Sequence, residues 1–165
     1  MAQAVHEKLG SPDLLVNNAG KYVQADLLSM SLADYRAVMD TNLSSAFLVT
    51  QAFAEGMVTR GSGSIFFIAS VASKQAYATS GAYCVAKHGL LGLARSVRQT
   101  TMSAGLRVTA IMPGATDTPS WQDSGHPAER FMPAEDIAST LLNIYKLSDR
   151  SVVEEIILRP TLGDL

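Results

Sequence analysis

Four short apolar runs set the limits on the fold: "DLLVNN" (13–18), "GSGSIFFIAS" (61–70), "LRVTAIMPG" (106–114) and "SVVEEIILRP" (151–160). Their apolar residues are continuous rather than alternating with polar ones. Strands of that kind are buried on both faces, as in a parallel sheet covered by helices. The segments between them have helix length. "SLADYRAVMDTNLSSAFLVTQAFAEGMVTR" (31–60) reads as one long helix or two, and Ser31 with Asp34 resembles a capping box with a shortened acid. "TSGAYCVAKHGLLGLARSVRQTTMSAG" (79–105) reads as a helix stopped by Gly105. "MPAEDIASTLLNIYKLSD" (132–149) reads as a helix with Pro133 at its start. The resulting order, β-α-β-α-β-α-β, predicts an α/β fold: a doubly wound parallel sheet in one domain spanning 1–165.

Composition narrows the function classes. The 165 residues suit one ordinary domain, and 47% hydrophobic residues provide for a packed core. The net charge is −2 and the Lys and Arg residues are scattered, so no nucleic-acid footprint is expected. No apolar run reaches membrane-span length, and "MAQAVHEKLG" (1–10) reads as a polar helix rather than a signal peptide. A cytoplasmic protein with no membrane partner is expected. Cys84 is the single cysteine, which excludes an internal disulfide, and it reads as a small core residue. His6, His88 and His126 lie far apart without ligand spacing, so no metal site is expected.

In open α/β sheets, ligands sit beyond the carboxyl ends of the strands. That rule directs attention to 17–20, 69–73 and 113–118, segments rich in Asn, Ser, Gly, Pro and Thr. It also gives meaning to "GAYCVAKHG" (81–89), where Tyr83 and Lys87 share a helix face at i, i+4. Alone, such a pair is more often packing than chemistry. Ser70 changes the balance, because it ends a strand thirteen residues before Tyr83. A serine hydroxyl can donate to a developing oxyanion while a phenol supplies or removes the proton.

"NNAG" (17–20), Asn42 in "DTNLSSAF", Ser70 in "SIFFIASVAS", "YCVAK" (83–87) and "PGATDT" (113–118) together resemble the ordered signature of the short-chain dehydrogenase/reductase family. The likeness covers roughly 13–160. It implies an oxidoreductase that passes hydride between NADP or NAD and a small alcohol or carbonyl compound. By that resemblance Tyr83 is the general acid/base. Lys87 lowers its pKa and bonds the nicotinamide ribose. Ser70 orients the substrate carbonyl, and Asn42 holds a water in a proton relay. Asn17 is expected to contact the adenosine ribose, Ala19 and Gly20 are expected to leave room for the cofactor to approach the backbone, and the Asn18 amide is expected to help hold neighbouring strands together. Pro113, Gly114, Thr116 and Thr118 are expected beside the nicotinamide.

The resemblance also implies assembly as a homodimer or homotetramer through the helices of 31–60 and 79–105, with Phe47, Val49, Phe53, Leu90, Leu91 and Leu93 on the contacting faces. Trp121, in "PSWQDSGHPAERF", either lines the substrate pocket or anchors a surface loop. The family's TGxxxGxG phosphate turn, with its strand and helix, does not occur among these residues. The expected fold is therefore the catalytic, C-terminal portion of an incomplete Rossmann-like sheet. Cofactor binding by the chain as given is expected to be impaired, and the choice between NAD and NADP stays open. The competing reading is a catalytically dead scaffold or dimerisation protein.

Overall fold

The computed structural model describes residues 2–121 and 124–165. Four strands, β1 (Leu14–Asn17), β2 (Gly63–Ile68), β3 (Leu106–Pro113) and β4 (Glu155–Leu158), pair in parallel in the order β1-β2-β3-β4. The helices are α1 (Ala2–Leu9), α2 (Leu32–Met39), α3 (Ser45–Arg60), α4 (Gly81–Thr101) and α5 (Ala134–Tyr145). The expected alternation of strands and helices is present. The outer elements are shorter than the sequence suggests: the last helix stops at Tyr145 and the last strand occupies only Glu155–Leu158.

The sheet separates two apolar layers. Ile65, Phe67, Val108, Ala110 and Met112 face α3 and α4, where they meet Met57, Leu90, Leu91 and Ala94. Phe66 and Ile111 face the opposite way, onto Ile137 of α5. Adjacent residues such as Phe66 and Phe67 are both buried because each face has its own cover. Successive strands advance across the sheet in one direction, yet α5 lies on the face opposite α3 and α4. The last crossover therefore has the opposite hand to the first two, whereas crossovers in parallel sheets are nearly always of one hand.

Phe53, Leu90 and Leu91 were expected on an association face, but they are buried at 7%, 1% and 3% exposure. Leu90 and Leu91 pack toward the sheet in the layer of Ile65, Phe67 and Met112, while the Phe53 ring meets His6 of α1 at a centroid separation of 5.1 Å. Phe47 and Leu48 of α3, by contrast, stay exposed.

The 31–60 segment is neither one regular helix nor two separate ones. α2 runs through a π-helical turn, Asp40–Ser44, directly into α3. At its start the Ser31 hydroxyl oxygen accepts from the Asp34 amide at 3.1 Å, while the same hydroxyl donates to the Asp34 carboxylate at 2.7 Å. The shorter acid thus bonds the cap hydroxyl instead of reaching back to the cap amide. At its end Gly61 takes a left-handed φ of 76° and closes the helix with bonds to Met57 and Val58.

Among the described residues, no helix is long and apolar enough to cross a membrane. No group of three or more His, Cys, Asp or Glu side chains is placed to hold a metal ion among those residues.

Candidate active site

The carboxyl ends of β1, β2 and β3 open into one cleft of about 430 Å³. That volume lies in the lower part of the usual range for ligand pockets, about 300–1,000 Å³. Ser70, Tyr83 and Lys87 line it, as do Asn42 and Gly20. Residues far apart in the chain meet here because three neighbouring strands end at the same edge of the sheet.

Ser70 is reached by extended backbone (φ −170°, ψ 162°) that leads into a 3-10 turn at Val71–Ser73. Its hydroxyl oxygen accepts from the Ala72 amide at 3.1 Å, which caps that turn and holds the side chain at 9% exposure. The turn-capping and site-lining readings of Ser70 are therefore both true. Tyr83 enters from the first turn of α4. Its ring and that of Tyr22 form an edge-to-face pair at a centroid separation of 5.3 Å and an interplanar angle of 75°. One helical turn later, Lys87 is 4% exposed, and its Nζ lies 5.6 Å from the centre of the Tyr83 ring. Nζ donates to the Ile68 carbonyl at 2.9 Å, at the end of β2.

Asn42 sits in the π-helical turn and is fully buried. The extra residue of such a turn frees backbone groups and redirects a side chain. The Asn42 amide nitrogen donates to the Val38 and Lys21 carbonyls at 3.0 Å, and its Oδ1 accepts from the Lys21 amide at 3.0 Å. The side chain thus clamps the loop after β1 onto α2. Gly20 makes this approach possible. A Cβ there would lie 2.9 Å from Asn42 Oδ1 and 3.5 Å from Lys87 Nζ, so any side chain would collide with the clamp.

The electrostatics differ in one respect from expectation. Sequence reasoning has Lys87 lowering the Tyr83 pKa. Here burial raises the Tyr83 pKa, and the nearby Ser70 hydroxyl acts in the opposite sense. Burial also pulls Lys87 down to about 8. A lysine that loses its proton there is neutral before the phenol begins to titrate, so it exerts little pull at that point.

Of the residues expected to hold a cofactor, Gly20, Tyr83, Lys87, Pro113, Gly114, Thr116 and Thr118 line the cleft. Asn17 and Ala19 do not. Asn17 is 6% exposed, and its amide donates to the Thr50 hydroxyl of α3 at 3.0 Å. Its neighbour Asn18 lines the cleft instead. The Asn17 bond to Thr50 ties β1 to α3, and Asn18, the residue after β1, is the asparagine at the cleft.

The 113–118 segment is fixed by its own hydrogen bonds. The Thr116 hydroxyl donates to the Gly114 carbonyl at 3.0 Å, and Thr116 forms a parallel bridge with Met132. Trp121 lines the cleft rather than anchoring a distant surface. Its ring stacks on Tyr22 at 6.2 Å and 15°, and it meets Phe131 at 5.4 Å. Sequence reading did not single out Tyr22, Tyr77 or Asp164, which also line the cleft. Tyr22 follows the NNAG run by two positions, which is a usable signal. Asp164 carries none, because only a chain reversal after β4 brings it back.

The short chain dehydrogenase profile matches residues 1–129. The chain belongs to the short-chain dehydrogenase family. It is 42% identical to sepiapterin reductase of Chlorobaculum tepidum over 161 residues, covering 96% of this chain and 66% of that protein. It is 34% identical to a 3-oxoacyl-[acyl-carrier-protein] reductase of Synechocystis over 142 residues, covering 82% of this chain and 58% of that protein. Its fold matches an alcohol dehydrogenase from the archaeon Thermococcus sibiricus, complexed with 5-hydroxy-NADP, at a TM-score of 0.89 and 25% identity. That match covers 99% of this chain and 69% of the other. The chain thus spans about two thirds or less of the length of these curated relatives.

Proposed function

We propose that this short-chain dehydrogenase chain carries the proton-transfer half of an NAD(P)-dependent oxidoreductase acting on a small carbonyl or alcohol compound. The observation that carries the reading is the convergence of Ser70, Tyr83 and Lys87 on one cleft beyond the strand ends. The relatives named for reductase and dehydrogenase activity support it.

The cleft fits the nicotinamide end of a dinucleotide. Lys87, Gly114 and Thr116 line the same cleft, where they offer an ammonium and backbone polar groups to the ring and its ribose. When bound, the nicotinamide supplies or accepts the hydride. Tyr83 gives a proton to the substrate oxygen in reduction and takes it back in oxidation. Ser70 donates to that oxygen as negative charge develops there. Below about pH 8, Lys87 is an ammonium close to the Tyr83 ring. It favours the phenolate that forms as the proton leaves. Asn42 fixes the loop that forms the floor behind Lys87 and is the proposed water-holding residue of the proton relay.

The adenosine end has less support, since the Asn17 side chain is bonded to Thr50 and the family's phosphate-binding turn does not occur among these residues. The 165-residue chain by itself therefore binds the dinucleotide weakly. Prolonged incubation with millimolar NADPH or NADH and a panel of ketones tests both parts. Slow turnover that Tyr83→Phe abolishes is expected. Micromolar cofactor affinity with ordinary turnover overturns the weak-binding part, and turnover indifferent to Tyr83→Phe overturns the chemistry.

A second reading, a dimerisation protein without turnover, is favoured by the exposed Phe47 and Leu48 on α3. A stable dimer in light scattering, with no calorimetric signal from either cofactor, selects it. Assembly as a dimer or tetramer and a cytoplasmic location accompany the main reading as proposals.

A further inference from the structure

Tyr22 lines the cleft beside Tyr83, and the proposed chemistry gives it no part. Its ring pairs edge-to-face with the Tyr83 ring, one of the geometries that aromatic pairs favour. It also stacks with Trp121, which in turn meets Phe131. A chain of ring contacts therefore ends at the proton donor.

The backbone on both sides of Tyr22 is tied down. Just before it, the Lys21 amide donates to Asn42 Oδ1 and the Lys21 carbonyl accepts from the Asn42 amide, both at 3.0 Å. Three residues after it, the Ala25 amide donates to the Thr79 carbonyl at 2.9 Å, and Ala25 forms a parallel bridge with Ser80. Ser80 immediately precedes α4. Leu27 then packs on Gly81, where a Cβ would stand 2.8 Å from the Leu27 Cβ. The loop after β1 is thus bonded at one end to the turn that carries Asn42 and at the other to the start of the helix that carries Tyr83. A phenol that delivers a proton must hold its oxygen in place, yet its ring turns about two side-chain bonds. A ring carried between two fixed ties is suited to limit that turning.

We propose that Tyr22 is a positioning residue, whose ring holds the Tyr83 ring in the orientation from which its hydroxyl serves the substrate oxygen. It acts through Tyr83 by packing, and its own hydroxyl is not required. The assignment rests on the oxidoreductase reading of the cleft. It gives the Asn42 clamp a second task, because the bonds to Lys21 fix the backbone from which Tyr22 projects.

Tyr22→Ala and Tyr22→Phe in the 165-residue chain separate the ring from its hydroxyl. At saturating cofactor, Tyr22→Ala is expected to lower kcat for the ketones at least about tenfold, since small misplacements of a reacting group cost rate on that scale or more. KM for the ketone is expected to stay within about twofold, and Tyr22→Phe to keep kcat within about twofold of the unmutated chain. Unchanged kcat in Tyr22→Ala, an equal loss in Tyr22→Phe, or a loss confined to KM overturns the proposal; the last would make Tyr22 a wall of the substrate pocket. A second measurement needs no turnover. In the chain labelled with 3,5-difluorotyrosine, the fluorine NMR signals lost in Tyr83→Phe belong to Tyr83. A held ring gives a separate signal for each fluorine, and a freely flipping ring gives one. Separate signals that merge in Tyr22→Ala and persist in Tyr22→Phe are expected. Merged signals in the unmutated chain, or separate signals that survive Tyr22→Ala, overturn the proposal. Absence of turnover in the unmutated chain counts against the oxidoreductase reading, and the fluorine signals then still decide whether Tyr22 holds the Tyr83 ring.

Discussion

The two halves of α4 are one continuous helix in two different environments. Its first turns carry Tyr83 and Lys87 and face the cleft, while its later turns carry Leu90, Leu91 and Ala94 and face the sheet. Both halves are buried, but the cost of burial is of opposite kinds. Around Leu90 burial stabilises, because apolar surface leaves water. Around Lys87 burial opposes the charge, and one bond to the Ile68 carbonyl offsets only part of that. A helix so arranged draws its stability from its later turns and gives its first turns to chemistry. The halves should therefore respond to mutation through different measurements.

The largest separation is expected at Tyr83. Tyr83→Phe removes one hydroxyl from the cleft and leaves the ring packing with Tyr22. Turnover at saturating cofactor should fall by about 10²–10⁴-fold, the usual contribution of a positioned general acid/base. The unfolding midpoint should hardly move. A matched loss of stability and activity would mean that the cleft half is as structural as the core half. Leu90→Ala reverses the pattern. Leu90 is 1% exposed, within the cluster that includes Leu91, Ala94 and Met112. Its truncation should cost about 2–5 kcal/mol by denaturant unfolding, with Tyr83 chemistry unchanged in the fraction that stays folded.

The same contrast shows what could be read from the sequence. The sheet-facing half was legible, since apolar spacing on a helix follows from its period and the neighbouring strands are continuous apolar runs. The positions of Ser70, Tyr83 and Lys87 were legible as well, once the strand-end rule placed 69–73 beside the start of α4. Phe53, Leu90 and Leu91 were misplaced because apolar positions on a helix say that something covers them without saying what. That the Asn17 side chain turns to α3 and Asn18 to the cleft was not legible, because sequence alone does not fix where the strand ends. The π-helical turn at Asn42 left no signal, as it adds a residue without breaking the apolar pattern. Asp164 depends on a reversal after β4 and on Gly114 lacking a side chain, a pairing of residues fifty positions apart.

The electrostatic side of the comparison gives a pH test. Lys87 is lowered from 10.5 to about 8 by burial. Below about 8 its ammonium is charged in both states, and the folded state bears the desolvation cost. Between about 8 and 10.5 the folded protein releases the proton while the unfolded chain keeps it. The unfolded state then binds more protons, so stability rises with pH across that window. The full swing is about 3 kcal/mol. Lys87→Met should flatten it, which urea midpoints of both proteins from pH 7 to about pH 10.5 would show as converging curves. Parallel curves would mean that the cleft half of α4 carries no such penalty and that the two halves are energetically alike.

The smallest expected effect lies outside the helix, at Gly163, and asks whether the cleft half depends on the segment that reaches it after β4. A Cβ at Gly163 meets nothing within 4 Å, so Gly163→Ala is free of steric clash. Its cost comes from φ 85° alone, a left-handed backbone that an L side chain disfavours by about 1–2 kcal/mol. Either the turn persists at about that loss, or it opens and withdraws Asp164 from Tyr77 and Gln75. Tyr77 connects onward to α4, because its amide donates to Cys84 Sγ at 3.3 Å, one residue after Tyr83. Opening should therefore lower Tyr83-dependent turnover while the unfolding free energy falls by no more than about 2 kcal/mol. A larger shift, comparable to that of Leu90→Ala, would show that this segment supports the core half of the helix as well as the cleft half.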